Sequence, residues 1–371
     1  MEFSISRNTL QKELGFVQGI VERKNTIPIL SNIVIESVGE NTIRIIATDL
    51  DVTLRCDAEA ESIVRPGALC VQARKLFDVA RLLPDAPVHF KKEDNDWVSV
   101  TCGTAKFKIS GAPRENFPEL PDTKSVPIKI PSEVIKDFIS RSIFAITQEE
   151  SRYTLSGAKF VLDSAGAKMI TTDGHRLAYI ATLLPVQTAG DEKIDTLIPR
   201  KALAEMTRLT NAADGEVQMG ADDNHIYFEV GPRLLISRLL SGQFPNYEMV
   251  MPKNNDKTVI FDGAELNKAV RLVATMADER SHSIRLQLET GTLKISAQTA
   301  EQGEGQQVLE ANYDGPDISI GFNAQYLQEF LSVMGDTKVA IDFKDGNSQA
   351  QLRPVDDPAY DCKYVVMPMR I

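Results

Sequence analysis

A strand-to-helix joint is written three times along this chain, at intervals that cut it into nearly equal thirds. Val71-Gln72-Ala73-Arg74-Lys75-Leu76, Ile198-Pro199-Arg200-Lys201-Ala202-Leu203 and Phe322-Asn323-Ala324-Gln325-Tyr326-Leu327 each end an apolar run in a small or polar residue and open an amphipathic segment. Arg74 to Arg200 is 126 positions and Arg200 to Gln325 is 125, close to one third of 371 residues. Thr48-Asp49 returns as Thr172-Asp173 after 124 positions, and Phe117-Pro118 as Phe244-Pro245 after 127. A proline stands near the end of each third, at Pro121, Pro252 and Pro368. One such match is weak, but several in the same order at one interval predict three domains of one fold, over 1–125, 126–250 and 251–371.

Each third reads as strand, helix, strands, helix, strands, which is an α+β pattern. In the first, Phe3-Ser4-Ile5 alternates and precedes a helical segment from Ser6 to Arg23 with Leu10, Leu14, Val17 and Val21 on one face. Residues 32–36 and 42–47 form a hairpin around Gly39-Glu40-Asn41. A second helix carries Leu76, Val79, Ala80 and Leu83 and stops at Pro84, and residues 98–102 and 105–109 close the unit around Gly103. The helices expected in the other thirds run from Ser132 to Ala145, Pro199 to Asn211, Gly263 to Met276 and Asn323 to Met334. The Pro-rich, polar tract from Glu119 to Pro127 reads as a linker, with a weaker boundary from Met251 to Lys257.

Charge is distributed unevenly over this pattern. The formal net charge is −11, which argues against a protein that grips nucleic acid over its whole surface. Counted over 6–24, 73–84, 132–145, 199–211, 263–276 and 323–334, the six expected helices nevertheless hold 14 Lys and Arg against 8 Asp and Glu, so everything outside them is strongly acidic. Helices tolerate Lys and Arg well, and a charged face is commonly just solvated. The sharper reading puts the helices on one side, facing a polyanion through its phosphates without reading bases.

Other chemistry finds little support. Cys56, Cys70, Cys102 and Cys362 lack CxxC spacing and read as reduced, buried thiols of a cytoplasmic protein. His89, His175, His225 and His282 are scattered without metal-ligand spacing, and no GxxxxGK[ST] phosphate loop is present, so neither metal nor other cofactor is expected. Asp173, His175 and Arg176 lie close together, but Asp-Gly is commonly a turn and no nucleophile motif accompanies them. There is no apolar run of about 18 residues and no charged-then-apolar leader, so neither a membrane span nor secretion is expected.

Four strings carry a resemblance over essentially the whole chain: Thr26-Ile-Pro-Ile-Leu-Ser-Asn32, Thr172-Asp-Gly-His-Arg-Leu-Ala178, Phe244-Pro-Asn-Tyr247 and Tyr364-Val-Val-Met-Pro-Met-Arg-Ile371. In their order and spacing the chain resembles the β subunit of bacterial DNA polymerase III, the sliding clamp family. The resemblance implies three repeated clamp domains, each with two helices packed on antiparallel sheets, and a head-to-tail homodimeric ring with helices inside. It implies no catalysis. The ring would encircle double-stranded DNA without sequence preference and tether the polymerase for processive synthesis. Its partners would be a second copy of itself, the DNA polymerase III alpha subunit, the clamp loader, and other polymerases and repair proteins bearing clamp-binding peptides.

Site residues carry over position by position. DNA contact is implied for Lys24, Arg74, Tyr153 and the neighbourhood of Gln148 with Thr154, while Lys75, Arg200 and Lys201 are added from the helix charge pattern. The partner-peptide groove is implied for Leu155, Thr172, Gly174, His175, Arg176, Leu177, Pro245, Met249, Val250, Val365, Met367, Pro368, Met369 and Arg370. Leu, Val, Pro and flexible Met suit an adaptable apolar slot that takes several ligands. The chain departs from the family pattern at Thr154, where a second Tyr is common, and at Glu248 and Met249, where some relatives carry Arg. Dimer contacts are implied for Phe107 and Ile109 in the first domain and Met276 in the last, on edge strands near 106–109 and 293–296.

Overall fold

The computed structural model describes residues 1–21, 26–121, 128–149, 151–183, 193–212, 215–299 and 303–370. Six α-helices lie among them: α1 (Arg7–Ile20), α2 (Ala73–Ala80), α3 (Ser132–Ser140), α4 (Arg200–Asn211), α5 (Gly263–Ala274) and α6 (Ala324–Met334). The three repeated joints fall where the sequence places them. Strand Ala68–Gln72 runs into α2, Ile194–Pro199 into α4 and Ile318–Asn323 into α6. Polar caps start three of the helices: Ser6 accepts from the Thr9 N–H at 3.1 Å, Asp262 from Glu265 at 3.0 Å and Asn323 from Gln325 at 2.8 Å.

Two helices end earlier than their apolar spacing predicts. In α2 the helix stops at Ala80, yet Leu83 stays buried in the turn before Pro84. The expected helix from Ser132 to Ala145 breaks after Ser140 and resumes as a 3-10 turn over Ile143–Ala145. Ser142 explains the break, because its hydroxyl donates back to the Phe138 carbonyl at 2.5 Å and its own carbonyl accepts from Thr171 Oγ1 at 2.7 Å. On α1 the buried face is Leu10, Leu14, Val17 and Ile20, with Val21 only half-buried.

The strands form four antiparallel sheets. One has five strands, in the order Ser62–Arg65, Glu2–Ser6, Pro87–Lys92, Val98–Cys102, Ala105–Ile109. The second has nine: Gly111–Ala112, Ala68–Gln72, Asn32–Val38, Thr42–Thr48 and Val52–Glu59 continue into Arg233–Arg238, His225–Val230, Glu216–Ala221 and Ile128–Pro131. The third has eight: Ile194–Pro199, Gly157–Asp163, Gly166–Thr172 and Arg176–Thr182 continue into Tyr360–Val366, Ala350–Pro354, Lys338–Phe343 and Lys257–Asp262. The fourth has four, Gly303–Glu310, Thr292–Thr299, Ser283–Glu289 and Ile318–Asn323. The chain therefore compacts along its sheets rather than by thirds. One compact unit contains Met1–Lys136 and Lys201–Leu239, the other Asp137–Val186 and Leu240–Ile371, and the central third contributes to both.

Within the first unit, α1 lies on strands Thr42–Thr48 and Val52–Glu59 and on α2. A buried bidentate pair, Glu13 with Arg233 at 2.5 and 2.8 Å, ties α1 to the strand that begins 220 residues later. The Arg233 guanidinium also lies 4.1 Å from the centre of the Phe16 ring. Removing one partner of so buried a pair leaves an uncompensated charge and costs about 3–5 kcal/mol. In the second unit α5 and α6 pack on one another and on the four-stranded sheet, around Phe322, Phe330, Leu331 and Ile295.

Candidate functional site

The repeated Thr-Asp pair builds the same turn twice, and one copy frames a cavity. Between strands Gly166–Thr172 and Arg176–Thr182, the Thr172 hydroxyl donates to the Arg176 carbonyl at 2.6 Å and accepts from the Gly174 N–H at 3.1 Å. Asp173 Oδ1 accepts from the His175 and Arg176 N–H groups at 2.9 and 3.1 Å. In the first third, Thr48 Oγ1 and Asp49 Oδ1 make the corresponding bonds to Leu50, Asp51 and Val52. The middle residue of each turn is left-handed, at φ 89° for Gly174 and 82° for Leu50.

Beside the Gly174 turn lies an apolar cavity of about 110 Å³, lined by Leu155, Thr172, Gly174, Arg176, Leu177, Pro245, Tyr247, Val250, Val365 and Met367. Its size admits an anchoring side chain or two rather than a cofactor. Ile170, Leu177 and Val365 make the floor, with Tyr179, Phe244, Tyr247, Val250 and Met251 packed against it. Strand pairing aligns Leu177 with Val365, so the floor is part of the eight-stranded sheet. Leu155 arrives on the 3-10 turn Tyr153–Leu155, held to the framing turn by Arg152, which donates to the Asp173 carbonyl at 2.7 Å.

Arg176 is the one buried cation of the groove. Its Nε pairs with Asp173 at 2.9 Å, Nη1 pairs with Glu329 of α6, and Nη2 donates to the Phe144 carbonyl at 2.6 Å. Its guanidinium also lies 4.2 Å from the centre of the Tyr326 ring. Burial works against the charge, but Tyr364 and Glu329 outweigh it and the Arg176 pKa rises. The residue serves as a charged strut under the groove, with its hydrogen-bonding capacity largely spent inside the protein.

Nine of the fourteen residues expected in the groove meet here, together with Tyr247, which is not among the expected fourteen. Its signal was its place in Phe244-Pro-Asn-Tyr247, between Pro245 and Val250. The other five lie outside the cavity. His175 is exposed, since the turn bonds use only its backbone. Met249 is 79% exposed on the 3-10 turn Tyr247–Met249. Pro368, Met369 and Arg370 line a neighbouring polar cavity of about 440 Å³ with Arg285, Ser319, Gly321, Gly346 and Asn347. The chain is drawn there after Met367 because the Met369 N–H donates to the Gly321 carbonyl at 2.8 Å and bridges to that strand.

The expected DNA-contacting residues divide in two. Arg74 and Lys75 on α2, Gln148 and Tyr153 are exposed, and Thr154 is half-buried. Lys24 lies outside the described residues. Lys201 and Arg200 do not stand free: Lys201 pairs with Asp49 and donates to the Ile20 carbonyl at 3.4 Å, and Arg200 donates to the Ile146 carbonyl at 3.1 Å. Other helix cations are matched as well, Lys136 by Glu133, Arg141 by Asp357 and Arg208 by Glu205. The helix charge is therefore concentrated on fewer side chains than a count predicts, with Lys268 and Arg271 of α5 also exposed.

At the expected dimer strands, Phe107 is 41% exposed on the edge strand Ala105–Ile109, but Ile109 is buried and Met276 half-buried against its own core. Residues 293–296 are not an edge, because Gly303–Glu310 pairs outside them and carries Val308, 49% exposed. No group of three or more His, Cys, Asp or Glu among the described residues is placed to hold a metal ion, and no described helix is long and apolar enough to cross a membrane.

Comparison with known proteins gives three consecutive family matches: the DNA polymerase III beta subunit N-terminal domain over 1–121, its central domain over 129–246 and its C-terminal domain over 248–370. The chain is 35% identical to the beta sliding clamp of Pseudomonas aeruginosa and 34% identical to that of Caulobacter vibrioides, covering 100% of both chains in each case. Among solved structures it superposes on the DNA polymerase III subunit beta of Pseudomonas aeruginosa with a TM-score of 0.93, at 35% identity and full coverage of both chains. A Pseudomonas aeruginosa clamp bound to griselimycin superposes equally well, with a TM-score of 0.93 at 35% identity and full coverage of both chains. With all three domains matched in order and relatives aligned from end to end, the chain belongs to the DNA polymerase III beta subunit family, the beta sliding clamps.

Proposed function

We propose that two copies of this chain close head to tail into a ring around duplex DNA, and that polymerases and other partners dock short apolar peptides in the groove beside Gly174. As a beta sliding clamp the protein is a non-catalytic processivity subunit. Ring closure gains its support from one observation, the pattern of sheet continuation. Val52–Glu59 pairs with Arg233–Arg238, and Arg176–Thr182, the equivalent strand of the next third, pairs with Tyr360–Val366. The next step of that series would pair Gly303–Glu310 with Ala105–Ile109. A single chain leaves both as sheet edges, and a second copy supplies each with its neighbour.

Phe107 and Val308, exposed on those two edges, and Leu272, 57% exposed on α5, would be covered by such pairing. Domain boundaries near 125 and 250 fit the same scheme. Within the ring, exposed Arg74, Lys75, Lys268 and Arg271 would meet phosphates, and weak contacts without base readout favour sliding. A tethered polymerase gains effective concentration at the primer end without a new DNA contact of its own. Partners would include the DNA polymerase III alpha subunit, the clamp loader, and other polymerases and repair proteins, in the cytoplasm.

Topology provides the test. The protein is loaded onto nicked circular plasmid with clamp loader and ATP, and retention is followed by gel filtration before and after the DNA is linearised. We expect retention on the circle, at salt that abolishes ordinary phosphate binding, and loss from the linear form. Equal retention on both would show ordinary binding and overturn the ring.

A further inference from the structure

The floor of the groove is apolar and accepts many side chains, but the charges around it are unevenly matched. Arg176, Arg152 and Lys363 around it are each already paired. Arg176 is held by Asp173 and Glu329, Arg152 lies 3.0 Å from Glu149, and Lys363 lies 2.6 Å from Asp361, its ammonium 5.4 Å from the centre of the Tyr179 ring. Against them stand those four carboxylates and a fifth, Glu248, which is exposed and has no cation within ion-pair distance among the described residues.

The backbone of Glu248 is also fixed. It sits on the 3-10 turn Tyr247–Met249, flanked by Tyr247 and Val250, both of which line the cavity. Its N–H donates to Asn246 Oδ1 at 3.2 Å, and the Val250 N–H closes the turn on the Tyr247 carbonyl at 3.0 Å. Tyr179, whose ring lies 6.2 Å from that of Tyr247, registers the local field: burial, then Asp361, Tyr247 and Glu248 push its hydroxyl pKa up. Glu248 thus adds an unmatched carboxylate on the turn that carries Tyr247.

We propose that Glu248 determines a charge preference of the groove: peptides whose apolar anchor is flanked by Lys or Arg on the side lying over Tyr247 bind more tightly than those carrying Asp or Glu there. The inference rests on the peptide-groove reading and names the chemistry of its ligand. An apolar anchor supplies the affinity and the flanking charge discriminates among ligands that fill the cavity equally well. An exposed pair of this kind is worth about two- to fivefold in affinity, and the effect is screened as salt rises.

The test uses the full chain and five fluorescein-labelled peptides that share one apolar core, one with Gln at both flanks and four in which a single Lys or Glu replaces the Gln at one flank or the other, titrated by fluorescence anisotropy. At low salt we expect the Lys peptide to bind about fivefold or more tighter than the Glu peptide at one flank only, the gain and the repulsion acting together. The ratio should collapse toward one in Glu248→Gln and invert in Glu248→Lys, while the Gln peptide binds all three proteins alike. Equal binding of the Lys and Glu peptides by the unmodified protein, or a ratio that survives Glu248→Gln, would overturn the proposal while leaving the groove intact. Failure of the uncharged Gln peptide to bind at all would instead overturn the groove reading and this inference with it.

Discussion

Leu50 and Gly174 occupy the same place in two copies of one turn, and only one of them is suited to it. Both lie in the left-handed region, where a side chain with a Cβ costs about 1–2 kcal/mol. Leu50 bears that cost with its side chain 47% exposed, so little packing offsets it. Leu50→Gly is expected to stabilise the protein by up to about 1 kcal/mol, the relief of strain being partly offset by the greater unfolded-state freedom of glycine. The reciprocal change, Gly174→Ala, should cost about 1 kcal/mol or more, since the new Cβ would also meet Arg152 Nη1 at 3.1 Å. Urea unfolding checks both, and the absence of any stabilisation in Leu50→Gly would argue against strain at that turn. The Thr-Asp repeat was legible in the sequence. Its meaning, a hydroxyl and a carboxylate closing a hairpin turn, became visible only with the hydrogen bonds.

At the scale of elements, apolar periodicity placed the six described helices. It failed where a single hydroxyl competes for backbone partners, as Ser142 does at the end of α3. Strand order was harder to read, because alternation marks a strand as half-buried without saying which neighbour covers it. For that reason residues 293–296 looked like an edge when Gly303–Glu310 is one. The groove was largely legible through its motifs, whereas the turn of the chain after Met367 was not, since it depends on one backbone bond to Gly321. The edge strands carry their own prediction. Phe107→Asp or Val308→Asp should convert the dimer to a folded monomer, read by analytical ultracentrifugation alongside an unchanged circular dichroism spectrum. A dimer of unchanged strength in both variants would place the subunit contact elsewhere.

Over the whole molecule, covalent order and cohesion follow different boundaries. The repeats divide the chain into thirds, while the ladder from Arg233↔Cys56 to Ser237↔Val52 welds part of the central third to the first. Anyone seeking a minimal piece would cut between Pro121 and Ile128, where the family matches also divide. Such a fragment keeps strand Val52–Glu59 but strips it of the Arg233–Arg238 strand that covers its side. Its freshly bared backbone, bordered by buried Leu54 and Cys56, becomes a template for any passing strand. The fragment is expected to self-associate, visible as a concentration-dependent rise in light scattering, and a stable monomer there would show that the severed ladder adds little to cohesion. Dissection along the sequence repeat is thus expected to yield sticky pieces, with the smallest autonomous part larger than the unit the sequence repeats.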